Sequence, residues 1–308
     1  DKVFKPLLFD LGRRKCVLLI GPEAVRMNGK PIHEALRKHI ETNHAQDIAF
    51  VHERDNLFLF HNKAAKSEVQ RSVSLFFEEA KPDNEIFEQI RSLPFGMAVS
   101  INPDTFLLQH YPKDERPHFA FFNHIGQNNE DTLAAWDRDR PLLYNLCGSF
   151  EEDASLVLDY DDLFRLLRAA MGAPGLPQKV RRALGEARSF FFLGFNFDKW
   201  YTQLLLRLLC EDNAPMHIAL NTQFGDGANQ TFLLKQFNIK FISEGDVFLA
   251  ELCRRWKAQE GSGAQEKPDK YLVLKLLKEG KTARSIEVLN ELVTQQEDRD
   301  MVVMISNW

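Results

Sequence analysis

Four short turns carry the residues of this sequence that could do chemistry. The first reads LLIGPEAV, where Gly21 lets a ligand approach the backbone and Pro22 presets the turn ahead of Glu23. The second reads SINPDTFLLQHY. There the Asn102 amide can hold a water or a ribose hydroxyl, and the Asp104 carboxylate can cap the next helix or orient that amide. The plain alternative for this stretch is a helix N-terminus with Pro103 in its first turn. The third turn, YNLCGSF, bends at Gly148 and Ser149. The fourth, FLGFNFDKW, offers Gly194 for close approach, Asn196 for a ligand and Asp198 for a helix cap.

Each turn follows an apolar run: Cys16 to Ile20, Met97 to Ile101, Leu142 to Leu146 and Ser189 to Leu193, with Met216 to Leu220 and Ile239 to Ile242 of the same kind. Being apolar on both faces, these runs read as buried parallel strands. Between them, Ile32, Leu36 and Ile40 recur at helical spacing. Ser67 is placed to cap a helix ending near Ala80, and Asp83 to cap one over Glu85 to Leu93. The alternation predicts an α/β fold: a doubly wound, mostly parallel Rossmann-like sheet with right-handed crossovers and a ligand crevice at the carboxyl ends of the strands.

The polar and aromatic stretch 106–140 reads as a small inserted module over that crevice. Its His110, His118 and His124 are surface histidines on the plain reading; one of them could instead supply a base. Phe190 to Phe192 suit the core, whereas Phe119 to Phe122, if exposed, would suit a protein interface. The acidic run Glu151 to Asp153 with Asp159, Asp161 and Asp162 reads as a solvated loop before a capped helix, not as a metal site.

Residues 258–270 (AQEGSGAQEKPDK) read as a flexible linker after a first domain spanning 1–257. Tyr271 to Gly280 and Ala283 to Gln296 then form a helical hairpin, the start of a unit over 271–308 too small to bury a core alone. A net charge of -5 with pI near 6 disfavours a nucleic-acid surface. The widely spaced Cys16, Cys147, Cys210 and Cys253 suggest neither zinc nor disulfides and fit a reducing cytoplasm. No apolar run approaches the roughly 20 residues that span a bilayer.

The four turns in this order resemble the sirtuin-like NAD-binding domain of bacterial defence systems, over about residues 10 to 255. The tail from Tyr271 is similar to the first part of an effector-associated helical domain, an adaptor that pairs effectors with partner proteins. The resemblance implies NAD, or an ADP-ribose-like nucleotide, held by Gly21, Pro22, Glu23, Asn102, Gly148, Ser149, Gly194 and Asn196, with Asn102 as the catalytic asparagine and Asp104 as its companion acid. It also implies homo- or hetero-oligomers assembled through the C-terminal segment. Two departures weaken catalysis. The glycine-rich first loop is reduced to GPEA, and the family's histidine is replaced by Cys147 or, in the register of other relatives, Asn145. A thiol titrates near pH ~8.5 and an amide not at all, so neither is a good base at neutral pH. The implied function is an effector or regulatory subunit of a prokaryotic immune system with a degenerate nucleotide site; the alternative is an active NAD glycohydrolase, not a deacylase, that depletes NAD on infection.

Overall fold

The computed structural model describes residues 2–126, 128, 130–136, 140–172, 175–210, 216–220, 227–261, 277 and 285–286. Along the chain these form α1 (Phe4–Gly12), β1 (Cys16–Ile20), a small hairpin of β2 (Arg26–Met27) and β3 (Lys30–Pro31), and α2 (Ile32–Asn43). A second hairpin, β4 (Ile48–His52) and β5 (Leu57–Phe60), leads to α3 (Lys63–Glu79), α4 (Glu85–Arg91) and β6 (Met97–Ser100). Then come α5 (Phe106–Gln109), β7 (His118–Phe121), α6 (Glu130–Ala135), β8 (Leu142–Asn145), α7 (Tyr160–Met171) and α8 (Gln178–Gly185). The series closes with β9 (Ser189–Leu193), α9 (Trp200–Leu209), β10 (Met216–Leu220), α10 (Gly227–Phe237), β11 (Ile239–Ile242) and α11 (Gly245–Gly261).

Seven strands form one all-parallel sheet in the order β11-β10-β9-β1-β6-β8-β7. Every residue of β1, β9 and β10 is buried, the pattern that continuous apolar runs produce when helices cover both faces. Phe190, Phe191 and Phe192 are fully enclosed, as core packing predicts. From β1 the chain builds outward through β6, then returns to place β9 on the other side. The crossovers therefore diverge between β1 and β9, and the crevice of a doubly wound sheet lies at the tips of these two strands.

All six predicted strands are present, two of them one residue shorter than read. The stretch 106–140 is different from the expected module: it holds α5, β7 and α6, and β7 pairs with β8 as the sheet's edge. With one neighbour instead of two, β7 leaves His118, Phe119 and Phe121 half-buried and buries Ala120 and Phe122, so it lacks the unbroken apolar signature of the inner strands. The larger insertion lies between β1 and β6, where α2, the β4–β5 hairpin, α3 and α4 follow the first turn.

The predicted caps also move. Asn62, not Ser67, caps α3 by accepting from Ala65 N at 3.0 Å, and the Ser67 hydroxyl donates back to Lys63 O. Replacing Asn62 with alanine is expected to cost about 1 kcal/mol, read as a lower urea midpoint at unchanged slope. Asp83 does not cap α4; its carboxylate accepts from Asn28 N and Gly29 N, tying down the β2–β3 turn.

The chain divides into two units, Asp1–Cys253 and Arg254–Trp308. Residues 258–261, predicted as linker, belong to α11. The remainder of that linker and most of the predicted helical hairpin lie outside the described residues, among which 277, 285 and 286 are helical.

Candidate functional site

The first and fourth turns meet at the tips of β1 and β9. Gly21 N donates to Leu193 O at 2.8 Å, Glu23 N donates to Gly194 O at 3.0 Å, and Ala24 N donates to Gly21 O at 3.2 Å. Pro22 has no N–H, so every backbone donor of this loop is absent or used by the chain itself. A β-carbon on Gly21 would lie 2.6 Å from Gly194 C and 2.7 Å from Phe195 Cα. Gly194 itself adopts φ +64°, a left-handed conformation that favours glycine. The close approach predicted at these glycines is thus made by one turn on the other. A pyrophosphate cradle needs N–H groups pointing outward, and this loop offers none from Gly21 to Ala24.

Asn102 joins the same cluster. It is buried, its backbone N–H donates to Ser100 Oγ, and its amide Nδ2 donates to Gly21 O at 3.2 Å. Its Oδ1 has no hydrogen bond among the described residues and remains an acceptor. Asn196 reaches the first turn as well, donating through Nδ2 to Glu23 Oε1 at 3.1 Å and accepting from Asp198 N at 3.0 Å. The N-cap position of α9 is Lys199, one residue after Asp198.

Asp104 makes no hydrogen bond to the Asn102 amide, which is spent on Gly21 O. It accepts from Phe106 N at 3.1 Å, and its carbonyl accepts from Asn145 Nδ2 at 2.8 Å, which binds the second turn to the third. Burial pushes its carboxyl up to about 6, against the opposing effect of the Phe106 N–H. Gly148, at φ +84°, and Ser149 seat their turn against Ser155, whose hydroxyl accepts from Ser149 N at 2.9 Å. The third turn is therefore shaped for local packing.

Beside these bends lies a cavity of about 110 Å³, lined by Ile101 and Pro103 on either side of Asn102, by Cys147, and by His33, Arg37 and Asn56 of the insertion. Burial pushes the Cys147 thiol up to about 12, so it stays protonated at neutral pH and is a poor nucleophile. His33 Nδ1 bonds Pro22 O at 3.1 Å, and burial lowers its basicity. Asp55, from the β4–β5 turn, accepts from Tyr160 OH at 2.5 Å. Lys199 is buried at the start of α9, and its amine is depressed by burial against the attraction of Asp55 and Glu23.

His33, Asp55 and Lys199 were not among the residues singled out by sequence. The only signal for His33 was its place next to Ile32 on an amphipathic helix that faces the sheet tips. The three suspected histidines lie elsewhere. His110 bonds Phe106 O and packs on Phe87, His118 opens β7 at the end away from the tips, and His124 sits by Lys66 and Arg165, depressed to about 4 chiefly by burial. In the acidic stretch, Asp159 caps α7, and Lys66 reaches Asp159 and Asp162 at 2.6 Å each. No group of three or more His, Cys, Asp or Glu among the described residues could hold a metal ion. None of the described helices is long and apolar enough to cross a membrane.

The sheet order and the turns at its switch point define a Rossmann-like α/β domain. A SIR2-like domain family model matches residues 96–242, from the approach to β6 to the end of β11, which supports a sirtuin-like domain there. The match takes in the second, third and fourth turns and leaves the first outside. No curated protein matches the chain.

Proposed function

We propose that this chain is an effector or regulatory subunit of a prokaryotic immune system. Its degenerate strand-tip site holds NAD or an ADP-ribose-type nucleotide, and the chain assembles with partners in the cytoplasm. SIR2-like domains generally bind NAD, which supports the ligand class. The observation that carries the degenerate character is the self-satisfied first turn, whose N–H groups are directed into the protein. Each charge-assisted hydrogen bond to phosphate is worth about 1.5–3 kcal/mol, so losing even one weakens binding by roughly tenfold or more. Calorimetry of the full chain with ADP-ribose, alongside nicotinamide release from NAD, tests the reading. Binding in the high micromolar range with negligible release is expected, and brisk release would sink it.

A second reading, hydrolysis of the nicotinamide glycosidic bond, is favoured by one feature: Cys147 shares its cavity with an imidazole from another element. On this reading Asn102→Ala abolishes nicotinamide release.

A further inference from the structure

We propose that His33 Nε2 is the hydrogen-bond acceptor of the cavity beside Asn102 and, in turnover, its proton acceptor. The inference rests on the reading of this site as a nucleotide site. Cys147 and Asn145 cannot fill the role, because one keeps its proton and the other is an amide tied to Asp104 O.

Four observations converge on His33. It lines the cavity from α2, together with Ile101 and Pro103 on either side of Asn102 and with Cys147 of the third turn. Its Nδ1 bonds the Pro22 carbonyl at 3.1 Å. A carbonyl only accepts, so the proton resides on Nδ1 and the lone pair on Nε2. Nε2 has no hydrogen-bond partner among the described residues, whereas the amide nitrogens of Asn102, Asn145 and Asn196 each donate to another group of the chain. Burial also keeps the ring neutral at pH 7, against the pull of Glu23 and Glu34 and with Lys199 opposing protonation. Arg37 and the protonated Cys147 thiol are the other titratable groups lining the cavity. A volume of about 110 Å³ is large enough for a few waters or a small polar group, at ~30 Å³ per water.

With NAD as substrate the step balances. A water oxygen bonds to the anomeric carbon of the nicotinamide ribose as the carbon–nitrogen bond breaks. The bonding electron pair goes to the ring nitrogen, which leaves as neutral nicotinamide. The water's proton passes to His33 Nε2 and then to solvent.

The test combines ¹⁵N-histidine NMR of the full chain, titrated with ADP-ribose, with nicotinamide release by wild type and His33→Gln. A shift of the His33 Nε2 resonance on binding is expected, with ADP-ribose held about fivefold to tenfold less tightly by the variant. Where wild type turns over, His33→Gln is expected to slow release by about 10²–10⁴-fold and to remove the acid limb of the pH profile. If ADP-ribose binds and the His33 Nε2 resonance stays in place, the proposal is overturned while the nucleotide reading stands; a variant that keeps the wild-type rate and acid limb overturns it too. If ADP-ribose does not bind at all, the nucleotide reading fails and this proposal with it.

Discussion

Gly21→Ala is expected to destabilise the domain by about 3–5 kcal/mol. The added methyl would meet Gly194 C at 2.6 Å and Phe195 Cα at 2.7 Å, and both are backbone atoms that cannot rotate aside. Relief requires the fourth turn to move as a unit, which breaks the bonds from Gly21 N to Leu193 O and from Glu23 N to Gly194 O. Gly29→Ala is the control. That glycine has φ +77° but no atom within 4 Å of the added carbon, so only the left-handed strain of about 1–2 kcal/mol applies. Urea unfolding followed by circular dichroism separates the two. Equal losses would show that the packing of the first turn on the fourth contributes little.

The second large effect is a pH dependence centred on Asp104. Its buried carboxyl titrates at about 6 in the folded chain, against 3.8 ordinarily. Between those two pH values the folded state holds a proton that the unfolded state has released, so stability falls as pH rises through the window. A displacement of about two units corresponds to about 3 kcal/mol, lost in full above roughly pH 7. Asp104→Asn cannot titrate. Its stability relative to wild type is therefore expected to improve by about 3 kcal/mol between pH 3.5 and pH 8, whatever fixed offset the amide introduces. A constant difference across that range would mean that Asp104 is ionised in the folded chain at the usual pH.

The residues that revealed the architecture were those whose neighbours are all apolar. Cys16–Ile20, Ser189–Leu193 and Met216–Leu220 are enclosed on both faces, and such strands announce themselves without knowledge of their partners. β7 did not, because an edge strand needs only half of that signal. The β4–β5 hairpin also went unread: Phe50 and Leu59 point outward, so its apolar residues mark no single buried face. Caps were misplaced because Ser67 and Asp83 are chemically suitable, and only long-range packing decides that Asn62 lies at the helix start and that Asp83 faces the β2–β3 turn.

The site followed the same rule. Gly21, Asn102 and Gly194 were legible as bends at strand ends, and the structure brings them together. That their hydrogen-bonding groups satisfy one another depends on which turn packs on which, and spacing along the chain does not carry that information. His33 was hidden for the same reason: about seventy positions separate it from Asn102, and only the seating of α2 over the sheet tips unites them.

The position of β1 between β6 and β9 has a consequence for biogenesis. Once residues 97–100 have emerged, β1 has a partner on one side only, and its other flank stays open until residues 189–193 emerge. The central ladder thus stays incomplete until β9 has been made, and the nascent chain carries an uncovered, strongly apolar edge in the meantime.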